Sequence, residues 1–189
     1  LLPRADHILI GGAMAYTFLK AQGKAVGNSR VEEDMVESAA RMLKLASESN
    51  TSIHLPTDHV CSPDFDENTS DIKTFEGDIQ DGYMGLDIGP KSVSEYSDVL
   101  KNAKTIVWNG PMGVFEWNAF ANGTKSVAQA VAQATENGAT SIVGGGGSAA
   151  AAEIFGVADK LSHVSTGGGA SLEMLEGKAF KAVDLLVDA

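Results

Sequence analysis

Cysteine is almost absent: Cys61 stands alone among 189 residues. No internal disulfide can form, and a reducing, cytoplasmic setting is expected. Basic charge is scarce as well, and the formal net charge is −11. A surface that acidic repels nucleic-acid phosphates and anionic lipid, so neither nucleic acid nor membrane is expected as a partner. Long apolar runs are missing; none approaches the roughly 18 to 20 residues needed to span a bilayer. The sequence has no charged-then-apolar opening of the signal-peptide kind, no fixed-period repeat, and no linker that would divide it. No starting methionine precedes Leu1-Leu2-Pro3-Arg4, and the expectation is a fragment of something longer.

What is present is a 43% hydrophobic share, enough to close one core, and 21 glycines gathered into clusters. Ile8-Leu9-Ile10 is a short apolar run that stops at Gly11-Gly12, as a buried parallel strand does at a tight turn. A helix is predicted from about Met14 to Lys20. Ser29 and Glu32 have capping-box spacing before a second helix, in which Met35, Ala39, Met42 and Ala46 share a face. A strand follows at Ser52–Leu55. The stretch from Asp58 to about Asp81 is acidic and irregular and reads as one short strand plus surface loop. Ser92 and Glu95 form another capping-box pair after Pro90, opening a helix to about Ala103.

Further strands are predicted at Thr105–Trp108, Ser141–Val143 and Ser162–Ser165. Between the first two lies a helix with Phe120, Thr124, Val127, Val131 and Ala134 on one stripe, stopped by Asn137-Gly138. Helices are expected at about Ser148 to Phe155 and again toward Gly177. Strand and helix alternate, and no Asn-Gly hairpin signal joins two strands. This is the pattern of an α/β fold: three αβα layers, a Rossmann-like parallel sheet with helices on both faces, in one domain covering 1–189.

Four strand ends share a design of apolar run, glycine, then helix or turn: Ile10-Gly11-Gly12, Trp108-Asn109-Gly110, Val143-Gly144 and Thr166-Gly167. In open α/β sheets the carboxyl edge is where ligands bind. Glycine lets a phosphate come close to the backbone, and the following helix offers unpaired N–H groups at its positive end. Gly144–Gly147 and Gly167–Gly169 thus read as two facing anion cradles. The Walker pattern G-x-x-x-x-G-K-[ST] is absent. Gly144-x-Gly146-x-x-Ala149 fits the dinucleotide pattern, but the next strand closes in Ser165-Thr166-Gly167 without the acidic residue that would hold a ribose.

Four segments together are specific. Ile10-Gly11-Gly12-Ala13-Met14-Ala15-Tyr16-Thr17-Phe18, Met84-Gly85-Leu86-Asp87-Ile88-Gly89-Pro90, Trp108-Asn109-Gly110-Pro111-Met112-Gly113-Val114-Phe115-Glu116 and Ser162-His163-Val164-Ser165-Thr166-Gly167-Gly168-Gly169-Ala170-Ser171 resemble phosphoglycerate kinase. They stand in that family's order and spacing, over essentially the whole chain. The resemblance implies a glycolytic transferase that moves a phosphoryl group reversibly between ATP and 3-phosphoglycerate, giving ADP and 1,3-bisphosphoglycerate. It implies that this chain is the C-terminal, nucleotide-binding domain of that kinase, lacking its first strand-helix unit. The implied ligand is ATP or ADP with Mg2+, and the implied state of the full-length protein is a monomer.

By the same resemblance, Glu116 would bond the nucleotide ribose, Gly11, Gly12, Leu86, Pro111 and Val114 would shape the adenine slot, and Gly85 and Gly113 would also belong to the nucleotide site. Asn109 would lie near the phosphates. Gly145, Gly146, Gly147 and Ser148 would cradle them from one side, Gly167 and Gly168 from the other. Gly146 and Gly169 would present N–H groups to the phosphoryl group in flight, a form of catalysis that rests on positioning and charge neutralisation.

Three departures accompany the resemblance. The phosphoglycerate-binding domain is absent, so 3-phosphoglycerate would be reached only through it. A lysine-bearing stretch expected just before Leu1 is missing. The family's Gly-Gly-Gly-Asp-[Ser/Thr] loop carries Gly147 at the aspartate position, where a carboxylate would help hold magnesium; no metal ligand is therefore assigned. The expectation is weak Mg-nucleotide binding and no turnover by the chain alone. Two alternatives stay open, a non-catalytic nucleotide-binding module and a dinucleotide-dependent oxidoreductase.

Other polar and apolar residues are assigned no ligand. His54, His59 and Cys61 are expected at strand ends and on the surface rather than in a zinc site. His163 is expected packed inside its strand, His7 exposed, and the methionines at helical spacing in the core. Trp108 is expected to pack rather than to touch a ligand, while Trp117 is open to either reading. The acidic cluster Asp64, Asp66, Glu67 and Asp71 reads as a solvated loop.

Overall fold

The computed structural model describes residues 4–165. Eight strands and five helices follow in the order β1 (His7–Leu9), α1 (Gly12–Ala21), α2 (Val36–Ser47), β2 (Ser52–His54), β3 (Asp58–Ser62), β4 (Lys73–Glu76), β5 (Met84–Ile88), α3 (Pro90–Asn102), β6 (Thr105–Asn109), α4 (Asn122–Glu136), β7 (Thr140–Gly144), α5 (Gly146–Ile154) and β8 (His163–Ser165). Two groups of strands are parallel: β1 with β2, and β6-β7-β8 in that order. Helices flank them, as the alternating pattern predicts.

The alternation is not continuous. β2 to β5 follow one another without a helix, and β4-β3-β5 form a separate antiparallel sheet. The acidic stretch read as mostly loop therefore contains two strands, one of them almost wholly buried. It escapes a pattern reading because β3 carries polar residues, Asp58, His59 and Ser62, at its buried positions. Its partner β4 is exposed along most of its length, and the turn between them has no hairpin dipeptide.

The core divides by face. Ile88, Tyr96, Leu100, Ile106, Val127 and Val131 pack where α3 and α4 meet the strands. Trp108, Val143, Ala151, Ala152 and Val157 pack under α5. The predicted stripe on α4 is buried throughout, from Phe120 to Ala134, and the helix ends at Asn137 with Gly138 at φ 100°. Small alanines on α4 and α5 let these helices lie close to the sheet. The phenol of Tyr96 donates to the carbonyls of Ile10 at 2.6 Å and His54 at 3.1 Å. One buried side chain thereby joins α3 to both strands of the β1–β2 pair.

Helix starts depart from the capping-box reading. Ser29 does not cap α2; its Oγ accepts the Gly85 N–H at 2.9 Å, while the Glu32 N–H donates to Thr17 Oγ1 at 3.1 Å. Ser92 lies inside α3, whose N-cap is Gly89. The cap arrives from another strand: Asp58 Oδ2 accepts the Lys91 N–H at 2.9 Å, and Oδ1 accepts the Ser92 N–H at 2.8 Å and its hydroxyl at 2.6 Å. A local spacing rule fails wherever a carboxylate distant in sequence takes the orphan donors of a helix end.

Several side chains lie elsewhere than expected. Met14, Met35 and Met42 are exposed, and on α2 the buried positions are Ala39 and Ala46, with Leu43 packed beside them. His163 is exposed at the start of β8. His59 is not a surface residue: it is fully buried, its ring 5.6 Å from that of Tyr16, and neither ring nitrogen has a hydrogen-bond partner. His7 is exposed as expected, with Nδ1 3.0 Å from His54 Nε2.

Candidate functional site

Three of the four glycine-bearing strand ends fall within the described residues, and they converge. The segment Gly110–Phe115, which leaves the carboxyl end of β6, is the hub. Four elements hold it by its backbone. The Gly12 N–H, opening α1, donates to the Met112 carbonyl at 2.9 Å. The Val114 N–H donates to the Leu86 carbonyl of β5 at 2.8 Å. Thr124 Oγ1 of α4 accepts the Met112 N–H at 3.0 Å. Ser148 Oγ of α5 accepts the Gly110 N–H at 2.6 Å. A fifth tie comes from below, where Trp108 Nε1–H donates to the Gly110 carbonyl at 2.7 Å.

These ties bring Gly11 and Gly12, Gly85 and Leu86, Asn109, Pro111, Gly113 and Val114, and Gly145–Ser148 to one edge of the fold. Glu116 follows in the same segment with an exposed side chain. Close approach explains Gly113: a Cβ there would collide with the Leu86 carbonyl oxygen and lie 2.5 Å from Asp87 Oδ1. Gly145 has φ 97° and ψ 144°, a region open essentially to glycine alone, and it turns the chain directly into α5.

The first turn of α5 faces outward. Gly146 and Gly147 are exposed. A Cβ built on Gly146 would meet nothing within 4 Å, and one on Gly147 only Pro111 Cδ at 3.8 Å. Bare amides at a helix N-terminus offer donors and a positive dipole end to an anion. Ser148 does not face this space: it is buried, and its hydroxyl oxygen serves Gly110. For magnesium, Gly147 offers no side-chain oxygen, and there is no group of three or more His, Cys, Asp or Glu side chains able to hold a metal among the described residues. Gly167, Gly168 and Gly169 lie outside the described residues.

Two residues beside the hub were not singled out from the sequence. Thr124 was read only as part of a buried stripe. Asp87, in β5, is 1% exposed, and its carboxylate accepts the Ile88 N–H at 2.9 Å and the Gly123 N–H, in the first turn of α4, at 2.6 Å. Burial pushes its carboxyl up to about 7, against the pull of the two N–H donors. The available signal was the glycine pair at 113 and 123, both of which Asp87 would crowd out if they carried a Cβ. Phe65 and Trp117 pack against each other beside the segment, ring centroids 4.5 Å apart and planes tilted by 48°.

Parallel strands flanked by helices, with glycines gathered at the carboxyl edge, define an α/β protein of the Rossmann-like kind. The family model for phosphoglycerate kinase matches residues 1–178, and the chain belongs to the phosphoglycerate kinase family. It is 54% identical over 188 residues to the phosphoglycerate kinase of Clostridium botulinum strain Langeland, covering 100% of this chain and 46% of that protein. It is 51% identical to the cytosolic phosphoglycerate kinase of Leishmania major, covering 100% and 45%. The solved structure of the Coxiella burnetii phosphoglycerate kinase superposes with a TM-score of 0.89 at 42% identity, over 94% of this chain and 46% of that one. The Pyrococcus horikoshii enzyme gives 0.80 at 31%, over 96% and 45%. The chain thus spans about half the length of the relatives it matches, and family membership sets aside the dinucleotide-oxidoreductase alternative.

Proposed function

We propose that this chain is the ATP- and ADP-binding half of a phosphoglycerate kinase, and that it turns over only when joined to a phosphoglycerate-binding half. In the complete enzyme the reaction would be phosphoryl transfer between ATP and 3-phosphoglycerate. The observation that carries the reading is the convergence of the β1, β6 and β7 ends on the Gly110–Phe115 segment, with the open amides of Gly146 and Gly147 beside it. A base would lie against the Gly11-Gly12, Leu86 and Val114 wall, the ribose at Glu116, and the phosphates on α5. The amides of Gly146, with those of the Gly167–Gly169 stretch, would meet the transferring phosphoryl group. We assign the protein to the cytoplasm.

The domain boundary belongs to the same proposal. Among the described residues β1 pairs only with β2, and β6 only with β7. Each has an edge that a further parallel strand could occupy, in keeping with a first strand-helix unit supplied by additional chain.

Gly147 favours a second reading, a nucleotide-binding module without catalysis, because magnesium loses a carboxylate ligand there. Calorimetric titration of ADP, with and without magnesium, into this chain and Gly147→Asp tests both. Magnesium-dependent tightening in Gly147→Asp is expected under the kinase reading. No ADP binding by either protein would overturn it. A coupled assay on the chain alone should show no 3-phosphoglycerate-dependent ATP use.

A further inference from the structure

We infer that Asp87 is a positioning residue for the nucleotide slot, holding the Gly110–Phe115 segment, β5 and α4 in one register without touching the ligand. The inference deepens the nucleotide-binding reading and rests on it. Each carboxylate oxygen has one N–H to accept: Oδ1 takes Ile88 at 2.9 Å and Oδ2 takes Gly123 at 2.6 Å. The first bond shapes the end of β5 just beyond Leu86, whose carbonyl pins Val114. The second fixes the start of α4 one residue before Thr124, whose hydroxyl pins Met112.

The slot wall thus hangs from two points, one on each side of the same carboxylate. Glycine at 113 and 123 is what lets the segment and the helix close onto it. Asparagine is no conservative replacement here. In the ionised carboxylate both oxygens accept, so an amide would direct its own NH2 against an N–H and one bond would be lost.

Asp58 supplies the control. It caps α3 from β3 as Asp87 caps α4 from β5, with comparable burial, but none of its bonds leads to the Gly110–Phe115 segment. A role confined to stability would make the two aspartates equivalent; a positioning role would not.

The test compares Asp87→Asn and Asp58→Asn in the full chain at pH 8, where Asp87 is ionised, and at a temperature where both are folded. It reads ADP affinity by calorimetry and the Trp108 indole N–H resonance, which reports the bond to Gly110. Asp87→Asn is expected to move that resonance and weaken ADP about tenfold, while Asp58→Asn lowers the unfolding midpoint and leaves both readouts within twofold or unmoved. Asp87→Ser, smaller and with one acceptor, replaces Asp87→Asn if the latter does not fold. The inference is overturned if a folded Asp87 variant leaves both readouts unchanged, or if Asp58→Asn moves them equally. If the unaltered chain binds no ADP, the nucleotide-binding reading fails on its own, and the Trp108 resonance alone decides whether Asp87 sets the segment.

Discussion

Two buried ionisable side chains, Asp87 and His59, pull the stability of this chain in opposite directions with pH. The Asp87 carboxyl is raised to about 7 by burial. Between roughly pH 4 and 7 the folded chain keeps a proton that an unfolded Asp has lost. Its contribution is therefore full only below about pH 4, declines as pH rises from there, and is gone above about 7. His59 is held below the ordinary histidine range by burial, against the pull of the neighbouring Asp58 carboxylate and of the nearby Gly77 backbone. Its contribution is full above about pH 6.5 and is lost as pH falls. Urea unfolding at pH 5 and pH 8 should show Asp87→Asn removing the decline toward pH 8, and His59→Phe removing the decline toward pH 5. His59→Phe also relieves two unpartnered buried nitrogens, so at neutral pH it should match or exceed the parent by about 1 kcal/mol. A loss of several kcal/mol would mean the imidazole has a partner after all. Gly147→Asp has room beside Pro111 and adds a negative charge in the first turn of α5, worth about 0.3–1 kcal/mol; its unfolding midpoint should not fall.

At the scale of elements, the two longest helices of the inner packing, α3 and α4, begin on carboxylates from the antiparallel sheet rather than on caps of their own. Asp58→Ala would strand the Lys91 and Ser92 donors and should cost on the order of 2 kcal/mol, read as a lower urea midpoint. Hydrogen exchange should quicken at Lys91 and Ser92 while the α5 amides keep their rates. These cross-element caps also explain what the sequence could and could not disclose. Parallel strands β1, β6 and β7 carry short apolar runs that stop near a glycine, β2 and β8 are short segments set between turn residues, and the α4 stripe is regular, so local pattern finds them. β3 buries Asp58, His59 and Ser62, an inversion of the usual pattern that makes sense only once α3 and the turn after Ser62 are in place. The glycines of the site were legible because their clustering is local. Asp87, Thr124 and the inward-facing Ser148 were not, since their partners lie 36, 12 and 38 residues away.

Over the whole molecule, the formal charge of −11 sets the long-range field that the proposed anionic nucleotide would meet. Attraction at α5 would be confined to backbone dipoles that fade beyond the first turn, while the repulsion extends over a Debye length. ADP association measured by stopped flow should therefore speed up from low to physiological ionic strength; a slowing would reveal a basic patch dominating the approach. The segment Gly110–Phe115 has a consequence in time as well as in space. It is complete only when residues 12, 86, 124 and 148 have all reached it, contacts of high sequence separation that are slow to close. On a growing chain no ribosome could expose a finished site before α5 emerges. In refolding, competence for ligand should lag behind the recovery of helix, which makes ligand binding the chain's own report that folding is over.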